Sequence, residues 1–145
     1  MSTPENITNL RIKPTLNTPF HIDYDWWARD ERDLRVYLIS HLPPEKQGFF
    51  SSDSDGEEVD WVDSDTAEVH RRDGLGMALQ EAAKADDFIT ANTSLVDAVF
   101  RVFIANNNAP LTPAELGEAI GHPPQKILRT LAGNRVYKGL RPIIE

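Results

Sequence analysis

The sequence predicts a mainly α-helical protein with small β-hairpins, an α+β fold. Apolar residues recur at helical spacing in five segments, most of which start with a capping residue. Acidic and apolar residues alternate over residues 57–63, which is typical of a strand. Apolar residues make up 40% of the 145-residue chain, which is enough to bury a core. We expect an N-terminal α+β part over residues 1–92, packed against a C-terminal domain over residues 93–145.

Two helices and one hairpin are predicted in the N-terminal part. Helix A starts at Asp23 or Asp25, either of which can cap it, and ends near His41 because prolines follow. Residues 45–56 are expected to form a loop, and residues 57–71 a β-hairpin. Helix B follows, from about residue 74 to residue 85.

The C-terminal third has the most regular pattern. Helix C begins at residue 93 or 94 and ends before a run of three asparagines. Helix D has Thr112 as its cap, Pro113 at its first position and Glu115 at its third, which completes a capping box. Gly121 ends helix D, helix E runs from Pro124 to about residue 132, and residues 135–141 are predicted to form a basic strand–turn–strand.

The segment from Leu111 to Leu131 resembles the helix-turn-helix of a winged helix-turn-helix domain. In that family a small residue, here Gly117, packs against the next helix, and a glycine, here Gly121, makes the turn. Ile127 and Leu131 occupy the apolar anchor positions of the second helix. The resemblance covers residues 94–141 and implies a short wing over residues 135–144. It departs from the family at residue 122, a histidine where an apolar residue is usual, and at residue 123, a proline in the cap position.

The resemblance implies that helix E reads base edges in the major groove and that the wing touches phosphates. It also suggests that Thr112 and the backbone amides at the start of helix D hold a phosphate. A two-fold DNA site would require a homodimer. The implied nucleic-acid-binding residues are Gln125, Lys126, Arg129, Thr130, Arg135, Lys138 and Arg141.

Charge is distributed unevenly along the chain. The formal net charge is −8, yet residues 94–145 carry six basic and four acidic side chains. Residues 53–68 hold eight carboxylates and no base. The negative total argues against non-specific nucleic-acid binding by the whole surface, but salt screening beyond about 8–10 Å allows a local basic face to act.

Composition excludes several classes of site. The chain has no cysteine, so disulfides, thiolate metal sites and cysteine nucleophiles are absent. No apolar run approaches the roughly 20 residues that span a bilayer, and residues 1–10 lack an export signal. We expect a cytoplasmic protein with no membrane partner, no metal and no cofactor.

Three functions are compatible with these features. The first is a non-enzymatic DNA-binding or transcription-related protein that uses the winged helix. The alternative is a protein–protein interaction module of a larger assembly, with the winged helix and the acidic face used for contacts. An apolar patch over helix E, or the acidic stretch 53–68 lying across it, would favour that alternative. The third is a small enzyme built on His21, Asp23 and Asp25, but no second cluster completes such a site, so no enzyme is expected.

Overall fold

The computed structural model describes residues 13–28, 30–50, 58–62 and 69–144, with backbone alone over 58–62 and 69–73. These residues form seven helices and two small two-stranded antiparallel sheets, so the protein is mainly helical, as predicted. The elements in chain order are β1 (Phe20–Ile22), α1 (Tyr24–Trp27), α2 (Glu31–Ile39), α3 (Pro44–Gln47), β2 (Glu58–Val62), β3 (Val69–Asp73), α4 (Gly74–Ala82), α5 (Leu95–Ala105), α6 (Pro113–Ile120), α7 (Pro124–Leu131) and β4 (Leu140–Pro142).

The contacts divide the chain into two compact units. One unit comprises Met1–Tyr24, described from residue 13, together with Ile89–Glu145, and the other comprises Asp25–Phe88. The boundary predicted from the sequence, after residue 92, lies close to the end of the unit Asp25–Phe88. Residues 13–24 nevertheless group with the C-terminal residues, because β1 pairs antiparallel with β4.

The predicted helix A is two helices in the structure. Helix α1 ends at Trp27, and α2 begins after Asp30, whose carboxylate accepts a hydrogen bond from the amide of Asp33 at 3.1 Å. Asp30 is therefore the cap of α2, and the prediction of one helix from Asp23 or Asp25 is wrong. The expected loop after residue 44 begins with the one-turn helix α3, since a proline at the first position favours a helical start.

The predicted β-hairpin is confirmed by the pairing of β2 with β3, in which Asp60 lies opposite Arg71. Helix α4 follows at once, contacts both strands and buries Leu75 and Leu79. This is the predicted helix B, which ends three residues early. The remainder of the acidic stretch 53–68 lies outside the described residues.

The core of the other unit is built around α5. Val99, Phe100 and Phe103 are fully buried on this helix, in agreement with the helical spacing of apolar residues in the sequence. Helix α5 contacts β1 and α6, and α6 contacts α7. Buried side chains of this size contribute about 1.5–3 kcal/mol each, so α5 supplies much of the apolar surface that packs against β1 and α6.

Strand β1 is held on both sides. Strand β1 pairs with β4, and its Phe20 also exchanges two backbone hydrogen bonds with Leu111, at 2.8 and 3.1 Å. The side-chain amide of Asn108 accepts from the backbone N–H of Ile22 at 2.8 Å and donates to its carbonyl at 2.9 Å. Asn108 thus makes the pair of hydrogen bonds that a neighbouring strand would make, and it connects the segment after α5 to β1.

Candidate nucleic-acid interface

Helix α6 begins with the predicted capping box. The Thr112 hydroxyl accepts from the Glu115 amide at 3.2 Å, and the Glu115 carboxylate accepts from the Thr112 amide at 2.9 Å. Pro113 occupies the first helical position. This start fixes the direction in which α6 approaches the turn into α7.

The same capping box shows that the predicted phosphate site at the start of α6 is wrong. Glu115 and Thr112 use each other's amides, and the Ala114 amide donates to the Leu16 carbonyl at 3.4 Å. Pro113 has no N–H, and the Leu116 amide donates to the Thr112 carbonyl. The amides at this end are already used, and the Glu115 carboxylate would repel a phosphate.

The turn between α6 and α7 is tight. Gly121 has a φ of 74°, the left-handed conformation expected of a glycine that ends a helix. A Cβ atom on Gly117 would lie 2.7 Å from the His122 carbonyl oxygen and 2.9 Å from Cγ of Pro124. The close approach predicted at Gly117 is therefore present, and a glycine is required there to bring the start of α7 against α6.

Helix α7 has one buried and one exposed face. Ile127 and Leu131 are buried, while Gln125, Lys126 and Arg129 are exposed. Thr130 is half-buried, and its hydroxyl donates to the Lys126 carbonyl at 2.9 Å within the helix. Three of the four predicted helix residues thus face solvent, whereas the hydroxyl donor of Thr130 is committed to the backbone.

The predicted hairpin over residues 135–141 is not formed. Leu140 donates to the Tyr137 carbonyl at 2.9 Å, and the two residues between them, Lys138 and Gly139, have φ of 54° and 75°. This is the turn of a hairpin, but the residues before it do not pair with β4. Strand β4 pairs with β1, with His21 opposite Arg141.

The predicted basic residues after α7 differ in their surroundings. Arg135 and Lys138 are exposed, and the Arg135 guanidinium lies 5.4 Å from the centre of the Tyr137 ring, a cation–π distance. Arg141 forms an ion pair with Asp23, with Nη1 3.3 Å from Oδ2. The pair neutralises part of the positive charge of Arg141.

Asp23 and Asn108 make contacts with distant residues that the sequence did not predict. Asp23 was a candidate helix cap or catalytic carboxylate, and its pairing with Arg141 joins positions 118 residues apart. Asn108 was expected only to end helix C.

Next to Asp23, partial burial raises the pKa of the Tyr24 phenol. Among the described residues, no group of three or more histidine or acidic side chains has the arrangement of a metal site.

In the described part of the chain, no helix has both the length and the apolar character needed to cross a membrane. Comparison with known proteins gives no match to a family model, to a curated protein or to a solved structure.

Proposed function

We propose that this protein is a non-enzymatic, transcription-related DNA-binding protein that reads a duplex with α7. The observation that carries this proposal is the polar and basic outer face of α7, opposite a face that is anchored in the core. The capped helix α6 and the glycine turn before α7 add support, since they resemble a winged helix-turn-helix domain. Strand β4, which pairs with β1, follows α7 at the position that the second wing strand has in such a domain.

The size and chemistry of α7 suit a major groove. Its eight residues give a length of about 12 Å, similar to the groove width of about 12 Å. Gln125 and Lys126 lie in its first turn, where recognition helices contact base edges. A glutamine can form two hydrogen bonds with adenine, and Arg129 or Lys126 can bond guanine.

Phosphate contacts would come from the basic residues after α7. Arg135 and Lys138 are exposed and lie within 14 residues of the start of the helix. Arg141 would contribute less, because a phosphate must compete with Asp23 for its guanidinium. Between Gly121 and Ile144 the chain carries five basic and no acidic side chains, so the local charge favours a polyanion despite the net charge of −8.

The alternative is a protein–protein interaction module, and an apolar patch on the outer face of α7 is one of the two features that would favour it. The described outward side chains are Gln125, Lys126 and Arg129, all polar. The exposed face of α7 therefore favours DNA, and a protein partner becomes the leading hypothesis only if the following experiment fails.

The test is fluorescence anisotropy with a labelled random duplex at 50 and 200 mM salt, about a fourfold change. Four phosphate contacts would lower the affinity about 150-fold over this range. A random duplex offers no fixed target bases, so Lys126 and Arg129 would contact phosphates in it. The Lys126→Ala/Arg129→Ala variant, with two phosphate contacts fewer, should bind more weakly at 50 mM salt, and its affinity should fall only about tenfold between 50 and 200 mM.

The matched control is Lys46→Ala/Lys84→Ala, which removes two exposed charges from the unit Asp25–Phe88. This control should bind like the wild-type protein. If both double variants weaken DNA binding equally, the loss is an effect of net charge, and the assignment of DNA binding to α7 is overturned. Absence of salt-sensitive binding by the wild-type protein would overturn the proposal for general duplex DNA and direct the search to a protein partner.

A further inference from the structure

A small cavity lies in the unit Asp25–Phe88, at the break between α1 and α2. It has a volume of about 110 Å³ and is lined by Trp26, Trp27, Asp30 and Asp33. The break in the predicted helix A places the two tryptophans at the end of one helix and the two carboxylates at the start of the next. None of the residues that line the cavity belongs to the unit that contains α7.

Aromatic side chains form one wall of the cavity. The indoles of Trp26 and Trp27 are perpendicular, with ring centres 5.0 Å apart. Tyr37 stacks on Trp27 at 5.8 Å and meets the ring of His41 edge-on at 4.4 Å. Trp27 is buried and Trp26 is half-buried, so a packed row of rings holds the wall in place. The face of an indole attracts cations more strongly than that of other aromatic side chains.

Carboxylates form the other wall. One Asp30 oxygen accepts from the Asp33 amide, which orients that carboxylate at the start of α2. The two carboxylates together carry more negative charge than the roughly half positive charge at a helix N-terminus, so as lining groups they attract a cation.

We propose that this cavity binds an organic ammonium cation, held by the indole of Trp26 and by the carboxylates of Asp30 and Asp33. Two carboxylates are too few for a hard metal ion, which takes about six oxygen ligands. A quaternary ammonium group needs no hydrogen-bond acceptor and gains from both the aromatic and the acidic wall. The volume is below the roughly 150 Å³ of a cavity that holds benzene, so it suits a compact head group.

The test is a titration of the full-length protein with choline at constant ionic strength, followed by tryptophan fluorescence. We expect saturable binding with a dissociation constant of about 1–10 mM, the range for a ligand of about seven non-hydrogen atoms. The neutral alcohol in which carbon replaces the choline nitrogen should bind at least about tenfold more weakly, because it lacks the charge. Equal binding of the neutral alcohol would overturn the proposal, as would absence of saturation by choline.

Variants test the role of the carboxylates. Asp30→Asn/Asp33→Asn keeps the side-chain shapes and a competent helix cap, and it should weaken choline binding about tenfold. Asp86→Asn/Asp87→Asn removes two exposed charges elsewhere in the same unit and should leave binding unchanged. Equal effects of the two double variants would overturn the site.

A parallel titration with N-acetyl-lysine methylamide identifies the source of the ammonium group. Tighter binding of choline assigns the cavity to a small molecule, and tighter binding of the lysine derivative assigns it to a protein side chain. Either result supports recognition of an ammonium group, whereas failure of both ligands overturns it.

Discussion

Substitution of Gly117 by alanine tests whether the contact between α6 and α7 depends on the absence of a side chain. The new Cβ atom would lie 2.7 Å from the His122 carbonyl oxygen, 2.9 Å from Cγ of Pro124 and 3.2 Å from Cδ of the same ring. Neither a backbone carbonyl nor a proline ring can turn away as a flexible side chain can. The start of α7 must therefore shift by several tenths of an ångström in a close-packed region.

The magnitude follows from two opposing terms. Overpacking of this kind costs about 1–3 kcal/mol, and the rigid neighbours place Gly117→Ala toward the upper end. Alanine recovers about 0.8–1 kcal/mol of helix propensity relative to glycine. We expect the free energy of unfolding to fall by about 1–2 kcal/mol.

The matched control is Gly76→Ala in α4. A Cβ atom at Gly76 meets nothing within 4 Å, so this variant gains the propensity term without the clash. It should be about 0.5–1 kcal/mol more stable than the wild-type protein. The two glycine-to-alanine changes are thus expected to have opposite signs.

Urea unfolding followed by circular dichroism measures both variants. The helices of the two units contribute to this signal about equally, whereas all three tryptophans lie within residues 25–88 and report on that unit by fluorescence. For Gly117→Ala we expect the circular-dichroism midpoint to fall by about 0.5–1 M urea. A Gly117→Ala protein as stable as Gly76→Ala would refute the argument, because the expected difference between the two variants comes from the contacts of the methyl group added at residue 117.

Three further outcomes are expected. Asn108→Ala should be about 2 kcal/mol less stable in urea than Asn107→Ala, since both residues have positive φ but only Asn108 bonds strand β1, and equal stabilities would contradict this. Thr112→Ala should lose about 1 kcal/mol and Ser94→Ala close to none, because Ser94 makes no side-chain capping bond. The Tyr24 phenol should titrate above the usual tyrosine pKa of about 10, which the difference between the ultraviolet titrations of the wild-type and Tyr24→Phe proteins measures. The contribution of Tyr24 to stability is present below about pH 10, and it is lost as the pH rises through the folded-state pKa.

Features encoded by neighbouring residues were predicted well. The capping box at Thr112 and Glu115, the left-handed Gly121 and the close approach at Gly117 all depend on residues within about one helical turn. The buried and exposed faces of α7 follow from helical periodicity alone. The exposed face of α7, the candidate DNA interface, was therefore predictable.

Features that depend on distant residues were missed. The ion pair between Asp23 and Arg141 and the amide of Asn108 on Ile22 join segments 118 and 86 residues apart. The break in helix A also escaped prediction, because Asp25 and Asp30 are both competent caps and local spacing does not choose between them. The cavity lies at this break, because its lining combines the last residues of α1 with Asp30 and Asp33 at the start of α2.

The segment after α7 shows how a correct local prediction can lead to a wrong partner. Lys138 and Gly139 have the positive φ values that a tight hairpin turn requires, so the predicted turn is present. A local hairpin would have paired β4 with the exposed stretch around Arg135. The pairing that forms is with β1, whose Phe20 and Ile22 are at most 1% exposed, and burial of side chains of this size contributes about 1.5–3 kcal/mol each. The turn therefore forms without a hairpin, β4 pairs with a strand that lies far away in the sequence, and Arg135 and Lys138 are exposed beside the turn.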